Sequence, residues 1–450
     1  MRYIVKQMLT LATGALLLTA CNSQLDVKPV NTIDAGSAVA TSGDVEALLV
    51  GAYDALGDGD VYGGNIIRDA ELLGDNGEIF WDGTFVAPDQ IFRKSLLVDN
   101  DQAASTWLDS YRTINIANNV LDNLDVVTNA NRSRVEGEAK FIRGLVYFAL
   151  IQQYAKAWTD GTPSANPGVP LILEPTTEIT EASKVSRNTV AEVYTQIIQD
   201  LTQAETALPA SNSFFTTKGA AAALLARVYL LQGRYADAAT AATRVISSGR
   251  YSLVPIEDVF DLRINQNGVN TAEDIFSVQV TDQDGVNNLN TFFASADYGG
   301  RGDILIEDAH LNLYTADDLR GQLFYDDGNG IYTAKWINQY GNIKVLRLAE
   351  MYLIRAEANL RNNSSIGAAP LADINRIRTR AGLAPLTTVT LNNILRERRL
   401  ELAFEGLQLY DLKRTRSNVG ALPYNSPKLI FPIPRREIDA NSNLEQNAGY

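Results

Sequence analysis

The feature that most restricts the fold is a pair of adjoining segments in which small residues recur at helical spacing. Lys218–Gln232 is very rich in Ala, and Arg234–Ser248 follows it after Gly233. The pattern runs Ala221, Leu225, Tyr229, Gly233, Tyr235, Ala238, Ala239, Ala242. Apolar residues three and four apart line one face of a helix, and small ones there let two helices approach closely. Gly233 opens the turn between them. The same period runs through Asp101–Leu124 (Trp107, Leu108, Tyr111, Ile114, Ala117, Leu121), through Asn131–Ala155 (Phe141, Leu145, Phe148, Ile151) and through Val190–Leu208, which Pro209 closes. A shorter helix is predicted over Asp44–Leu56, with Asp44 as its cap. The chain is therefore expected to be mostly α.

The 218–248 hairpin resembles a tetratricopeptide unit of about 34 residues. Similar hairpins can be drawn over 101–155, 190–232 and 345–382. Their spacing is irregular, which points to a degenerate helical-repeat scaffold whose stacked units bury a continuous core and leave a surface for partners. Two stretches interrupt it, 57–100 and 250–342, both rich in Gly, Asn and Asp. Loops beyond about 12–15 residues are usually functional or disordered. The first carries Phe80, Trp81, Phe85 and Phe92, enough apolar surface to order it; the second carries Tyr298, Phe324, Tyr325, Tyr332, Trp336 and Tyr340. Within the second, Asp274–Val280 alternates like a strand.

Composition removes several classes of function. The 450 residues are 46% hydrophobic, ample for a large core, and the net charge of −14 argues against nucleic acid, whose phosphates it would repel. One His and one Cys supply no zinc cluster and no disulfide framework, and leave Ser-His-Asp chemistry only if His310 serves; His310 reads as a surface or core residue. Glu401 and Glu405 sit one helical turn apart, and Glu350 and Glu357 two. Glycoside hydrolysis needs a carboxyl of raised pKa, whereas neighbours such as Arg347, Arg355, Arg398 and Arg399 lower it. These read as structural ion pairs, running along the Leu391–Arg414 helix at about 0.2–0.5 kcal/mol each. The YDDGNG run at 325–330 lacks the ligand alternation of a calcium loop and reads as a surface turn, as does Arg301-Gly302-Asp303. No metal, cofactor or catalytic group is expected.

At the N-terminus, Arg2 and Lys6 precede an apolar run, Met8–Ala20, too short to span a membrane as a helix. It ends Leu18-Thr19-Ala20-Cys21, and this sole Cys stands where the lipobox of bacterial lipoproteins places its lipidated residue. Residues 1–20 thus read as a signal peptide, 21–43 as a lipidated tether and 44–450 as the body. Loss of Arg2 and Lys6 moves the net charge from −14 to −16. Two or more acyl chains make such an anchor stable.

Four C-terminal blocks stand together: VLRLAEMYLIRAEANL (345–360), ADINRIRTRAGL (372–383), ERRLELAFEGLQLYDLKR (397–414) and FPIPRREIDANSNLEQNAGY (431–450). With EAKFIRGLVYFALIQQY (138–154) and the lipobox, they resemble the SusD/RagB family of Bacteroidota outer-membrane lipoproteins. One departure is local: Gln408 and Leu409 stand where the family usually has Arg and an aromatic. The resemblance implies a mostly α SusD-like fold, four tetratricopeptide-like repeats on one side, long loops and minor β structure. It implies a non-enzymatic protein facing the cell exterior, which captures oligosaccharide and works as a hinged lid on a SusC-like TonB-dependent transporter barrel. Peptide or another nutrient as cargo, a secreted glycoside hydrolase and a pure assembly scaffold are the alternatives. Sugar C–H faces stack on aromatic rings while their hydroxyls need polar partners. That search selects Asp69, Asp75, Asn76 and Trp81 in the first loop-rich stretch and Tyr298, Arg301 and Trp336 in the second.

Overall fold

The computed structural model describes residues 39–450; the predicted signal peptide, the lipidation site Cys21 and most of the tether lie outside the described residues. In chain order the elements are α1 (Ser42–Leu56), α2 (Asn65–Leu73), β1 (Ile79–Trp81), α3 (Val86–Phe92), α4 (Asp101–Asp122), α5 (Asn129–Tyr154), α6 (Val190–Ala207), α7 (Lys218–Leu231) and α8 (Tyr235–Ser247). There follow α9 (Ile256–Val259), β2 (Asp274–Val278), α10 (Asn288–Phe293), β3 (Ile304–Ile306), α11 (Asp308–Leu311), β4 (Phe324–Asp326), β5 (Ile331–Thr333) and β6 (Ile343–Arg347). The chain ends with α12 (Leu348–Arg361), α13 (Pro370–Arg380), α14 (Leu391–Glu401), α15 (Gln408–Arg414) and α16 (Arg435–Ala440).

The long helices pack serially, α4 on α5, α5 on α6, α6 on α7, α7 on α8 and α8 on α12, which also carries α13 and α14. This is the stacked-hairpin scaffold expected from the 3.6-residue period. Small residues make the close approaches: a Cβ on Gly144 of α5 would meet Leu201 of α6 at 3.1 Å. Thr189 and Thr217 cap α6 and α7 by accepting the N–H groups of Glu192 and Ala220. Three two-stranded antiparallel pairs, β1–β3, β2–β6 and β4–β5, complete the body.

Two expectations are corrected here. Residues 343–347 form strand β6 against β2, where one continuous helix had been expected up to Arg361. The first loop-rich stretch contains α2, every residue of which is buried. The Leu391–Arg414 stretch turns at Leu402–Leu407, where Phe404 (φ +63°) and Gly406 (φ +77°), a residue suited to a C-cap or kink, are left-handed; a Cβ on Gly406 would sit 3.0 Å from the Ile67 backbone.

The glutamates of this segment pair with other elements, while Asp411 and Arg414 pair along α15 at 2.7 Å. Arg347 of β6 donates to Glu273 at 2.9 Å, Glu401 at 2.6 Å and Glu405 at 2.7 Å. Arg380 also reaches Glu401, at 2.5 Å, and Glu273, at 3.0 Å; Lys335 reaches Glu405 at 2.7 Å. Burial alone would raise the Glu401 carboxyl, but the charges of Arg380, Arg347 and Arg320 hold it far below the usual carboxylate range. Glu350 pairs with Arg227 at 2.7 Å and Glu357 with Arg414 at 2.5 Å. The glutamates noted as possible catalytic pairs are thus buried members of ion pairs.

Candidate functional site

The two loop-rich stretches meet in space through strands more than 200 residues apart. β1 pairs with β3 in the register Ile79–Ile306, Phe80–Leu305, Trp81–Ile304, and the Asp82 N–H donates to the Asp303 carbonyl at 2.9 Å. Side chains alternate along a strand, so Ile79 and Trp81 turn inward and Phe80 outward.

That register corrects the expectation for Trp81. It is 3% exposed, packs against Phe292, and leaves its buried indole N–H without a partner. Trp336 is likewise 3% exposed; its N–H donates to the Phe404 carbonyl at 3.1 Å and its ring meets Phe260 edge to face. Neither offers a face to a ligand at the surface. Asp69 is buried against Arg68 at 2.6 Å, and burial pushes its pKa up to about 6 despite that partner. Asp75 Oδ1 accepts the N–H groups of Gly77, Glu78 and Ile79, holding the turn before β1, and the exposed Asn76 accepts the Gly420 N–H at 2.7 Å. His310 is buried between Glu78 and Tyr314.

Tyr298 and Arg301 do reach the surface. Tyr298 is half-buried, edge to face with Tyr325. Arg301 pairs with Asp303 at 2.8 Å, donates to Thr84 at 3.2 Å, and lies over the Phe85 ring at 4.6 Å. Phe85, under Arg301, is 46% exposed, and Phe80, which faces out from β1, is 45% exposed. Phe92 backs Phe80 and Phe292 backs Phe85, both edge to face, so each ring is held at the surface by another aromatic beneath it. Sequence reasoning used Phe85 only as evidence of order, and took Phe80 as part of a candidate ligand stretch without selecting it for the site. The Ile79-Phe80-Trp81 alternation was the signal that one neighbour of Trp81 faces out.

Helix α10 links this shelf to a cleft. At its start, the Asn287 side chain donates to the carbonyls of Asn338, Gln339 and Gly341; at its end, Phe292 supports Trp81 and Phe85. The cleft, about 730 Å³, lies between α1, the Gly57–Gly63 turn, Phe214–Phe215, the 276–280 segment that includes the end of β2, and Gln283–Asn288. Only Gly fits at position 63, since a Cβ there would lie 2.2 Å from the Gly57 carbonyl. Phe214 is 63% exposed at the rim, and Phe215 packs on Tyr53 at 4.9 Å. Asp54, Gln279, Gln283, Asp284 and Asn288 add carboxylates and amides. Exposed phenyl faces with acceptors and amides beside them suit a polyhydroxylated ligand. Behind the turn, the carboxylates of Asp58, Asp60 and Asp109 lie within 4.8 Å of one another, and Asp60 is held by the amides of Asn65 (2.6 Å) and Gln102 (2.8 Å).

Comparison with known proteins agrees with this architecture. A SusD-like family described as starch-binding and associating with the outer membrane matches residues 25–230, and the SusD family matches residues 324–421. The SusD-like protein P2 of Formosa agariphila is 25% identical, over 99% of this chain and 100% of its own length. A SusD superfamily structure from Bacteroides thetaiotaomicron superposes with a TM-score of 0.81 at 26% identity, covering 91% of this chain and 100% of its own. A putative sugar binding protein from Bacteroides vulgatus gives 0.80 at 27%, covering 92% and 99%. Two family matches, relatives that align end to end and the stacked-hairpin fold agree: the chain belongs to the SusD/RagB family.

Proposed function

We propose that this protein is a cell-surface lipoprotein that captures oligosaccharide and delivers it to a SusC-like TonB-dependent transporter barrel. In this reading Cys21 carries the lipid, the body faces the exterior of the outer membrane, and the protein binds without turning its ligand over. The observation that carries the reading is the pair of exposed phenyl rings, Phe80 and Phe85, each fixed on an aromatic support, with Arg301 over Phe85. The name of the Bacteroides vulgatus neighbour, a putative sugar binding protein, and the starch-binding description of the matching family support it. The glutamates considered as catalytic pairs, Glu350 with Glu357 and Glu401 with Glu405, are taken up in buried ion pairs, which supports binding over catalysis.

Native affinity electrophoresis against a panel of neutral polysaccharides tests this. The wild-type protein is expected to be retarded by at least one polymer. Phe85→Ala removes a stacking contact of about 0.5–1.5 kcal/mol, so affinity falls by up to about tenfold while the unfolding midpoint stays close to wild type. Wild-type migration of both Phe80→Ala and Phe85→Ala in that polymer would remove the shelf from the binding site.

A further inference from the structure

Resting on that reading, we infer that the cleft selects electroneutral glycan and turns away polyanionic chains, those bearing sulfate or uronic acid. The lining contains two exposed carboxylates, Asp54 and Asp284, and among the described residues neither Lys nor Arg. The Asp54 carboxylate makes no hydrogen bond or ion pair with any described residue. Asp284 accepts the Thr281 N–H (2.8 Å) and hydroxyl (2.7 Å), which hold the carboxylate in place and leave its charge uncompensated.

The surroundings deepen the negative field. Asp58 and Asp60 sit on the turn that forms one wall, next to Asp109. Burial, and then the charges of Asp58 and Asp60, raise the Asp109 pKa against the opposing charge of Arg112. Three cations of neighbouring elements are committed elsewhere, Lys344 to Asp274 at 2.6 Å, Arg227 to Glu350 at 2.7 Å and Arg134 to Glu46 at 2.6 Å, while Arg250 lines the adjoining recess beyond Phe214–Phe215 and Arg112 acts on Asp109, both outside the cleft lining itself. A concave wall lined by one sign of charge focuses its field on whatever enters. Sugar hydroxyls can donate to these carboxylates in charge-assisted hydrogen bonds, whereas a sulfate or carboxylate meets like charge. The shelf differs, since Arg301 stands over Phe85 there. Selection against anions therefore belongs to the cleft.

The experiment compares each neutral polysaccharide of the panel with its own carboxymethylated or sulfated derivative, by affinity electrophoresis and calorimetry at low and high salt. Wild type is expected to bind the neutral polymer at least about tenfold more tightly than its anionic derivative at low salt. The gap should narrow when the Debye length falls to about 3 Å near 1 M. Asp54→Lys, and further Asp54→Lys with Asp284→Asn, are expected to shrink the neutral-to-anionic ratio. Equal or tighter binding of the anionic derivative by wild type would overturn the inference while leaving glycan capture intact. So would a ratio unchanged in the double variant. Binding to neither form would overturn the glycan reading itself, and this inference with it.

Discussion

The Leu391–Arg414 segment and the Phe80–Phe85 shelf are both unusual runs of charge or aromatics, yet they are held in opposite ways. In the first, Arg347, Arg380 and Lys335 arrive from other elements to meet Glu401 and Glu405, their charged ends buried, at 2.5–2.7 Å. In the second, the rings are backed from below and open above. A buried charge has no substitute for its partner, because desolvation penalises any mismatch by several kcal/mol. An exposed ring has only a ligand to satisfy. The C-terminal segment can therefore be read as a block of sequence that fixes the fold, while the residues that choose the ligand leave little trace in any motif.

Arg347 tests the first half of that contrast and should give the largest effect. Arg347→Met leaves Glu273, Glu401 and Glu405 short of their shared partner, and stability measured by denaturant should fall by about 3–5 kcal/mol. A loss below about 1 kcal/mol would mean that the segment behaves like surface charge. The next effect is one of pH. His310 Nδ1 lies 2.5 Å from Glu78 Oε2. Burial, reinforced by the Arg399 charge, lowers the His310 pKa from 6.5 to about 4. Burial raises Glu78, but hydrogen bonds from His310 and Arg399 and the Arg399 charge bring it down to about 2. Between pH 6.5 and 4 the unfolded chain binds a proton at His310 that the folded chain refuses, so stability falls as pH falls through that window. The change is on the order of 3 kcal/mol, and the Glu78 contribution is lost lower still, between about pH 4.5 and 2. Unfolding free energies measured from pH 7 to 4 should show a shallower slope in His310→Gln. A steeper slope would identify His310 as an imidazolium paired with Glu78.

The helical hairpins were legible because their period is a local property: the small-residue face of 218–248 packs as its spacing says. Strand β6 was not legible. Ile343–Arg347 runs straight into the apolar pattern of α12, and only its pairing with β2, some 70 residues earlier, makes it a strand. Helix α2 was hidden for a related reason. Arg68, Asp69 and Glu71 look like surface charges between Gly-rich turns, yet their partners, Gln102 for Arg68 and the Gly406 N–H for Glu71, come from far along the chain. At the site, the meeting of two aromatic loop stretches could be anticipated. Which rings face out could not, because that depends on the β1–β3 register, and a shift of one residue exchanges the two faces.

The smallest effect is expected where the contrast is drawn most finely, between neighbours on β1. Trp81→Phe keeps an aromatic ring against Phe292 and removes a buried N–H that has no partner. The volume lost destabilises and the removal of an unsatisfied donor stabilises, so the two terms offset and the net change should stay within about 1 kcal/mol. The indole lies directly over Gly83, where a Cβ would come within 2.4 Å of it, so the freed space faces the chain and not the solvent. Glycan affinity of Trp81→Phe should remain within about twofold of wild type, set against the loss of up to tenfold expected for Phe85→Ala. The informative measurement is the pair of quantities together, unfolding midpoint and retardation in the same polysaccharide. If Trp81→Phe keeps its midpoint but loses its retardation, then Trp81 turns outward to meet ligand, and the division between inward and outward rings on β1 fails.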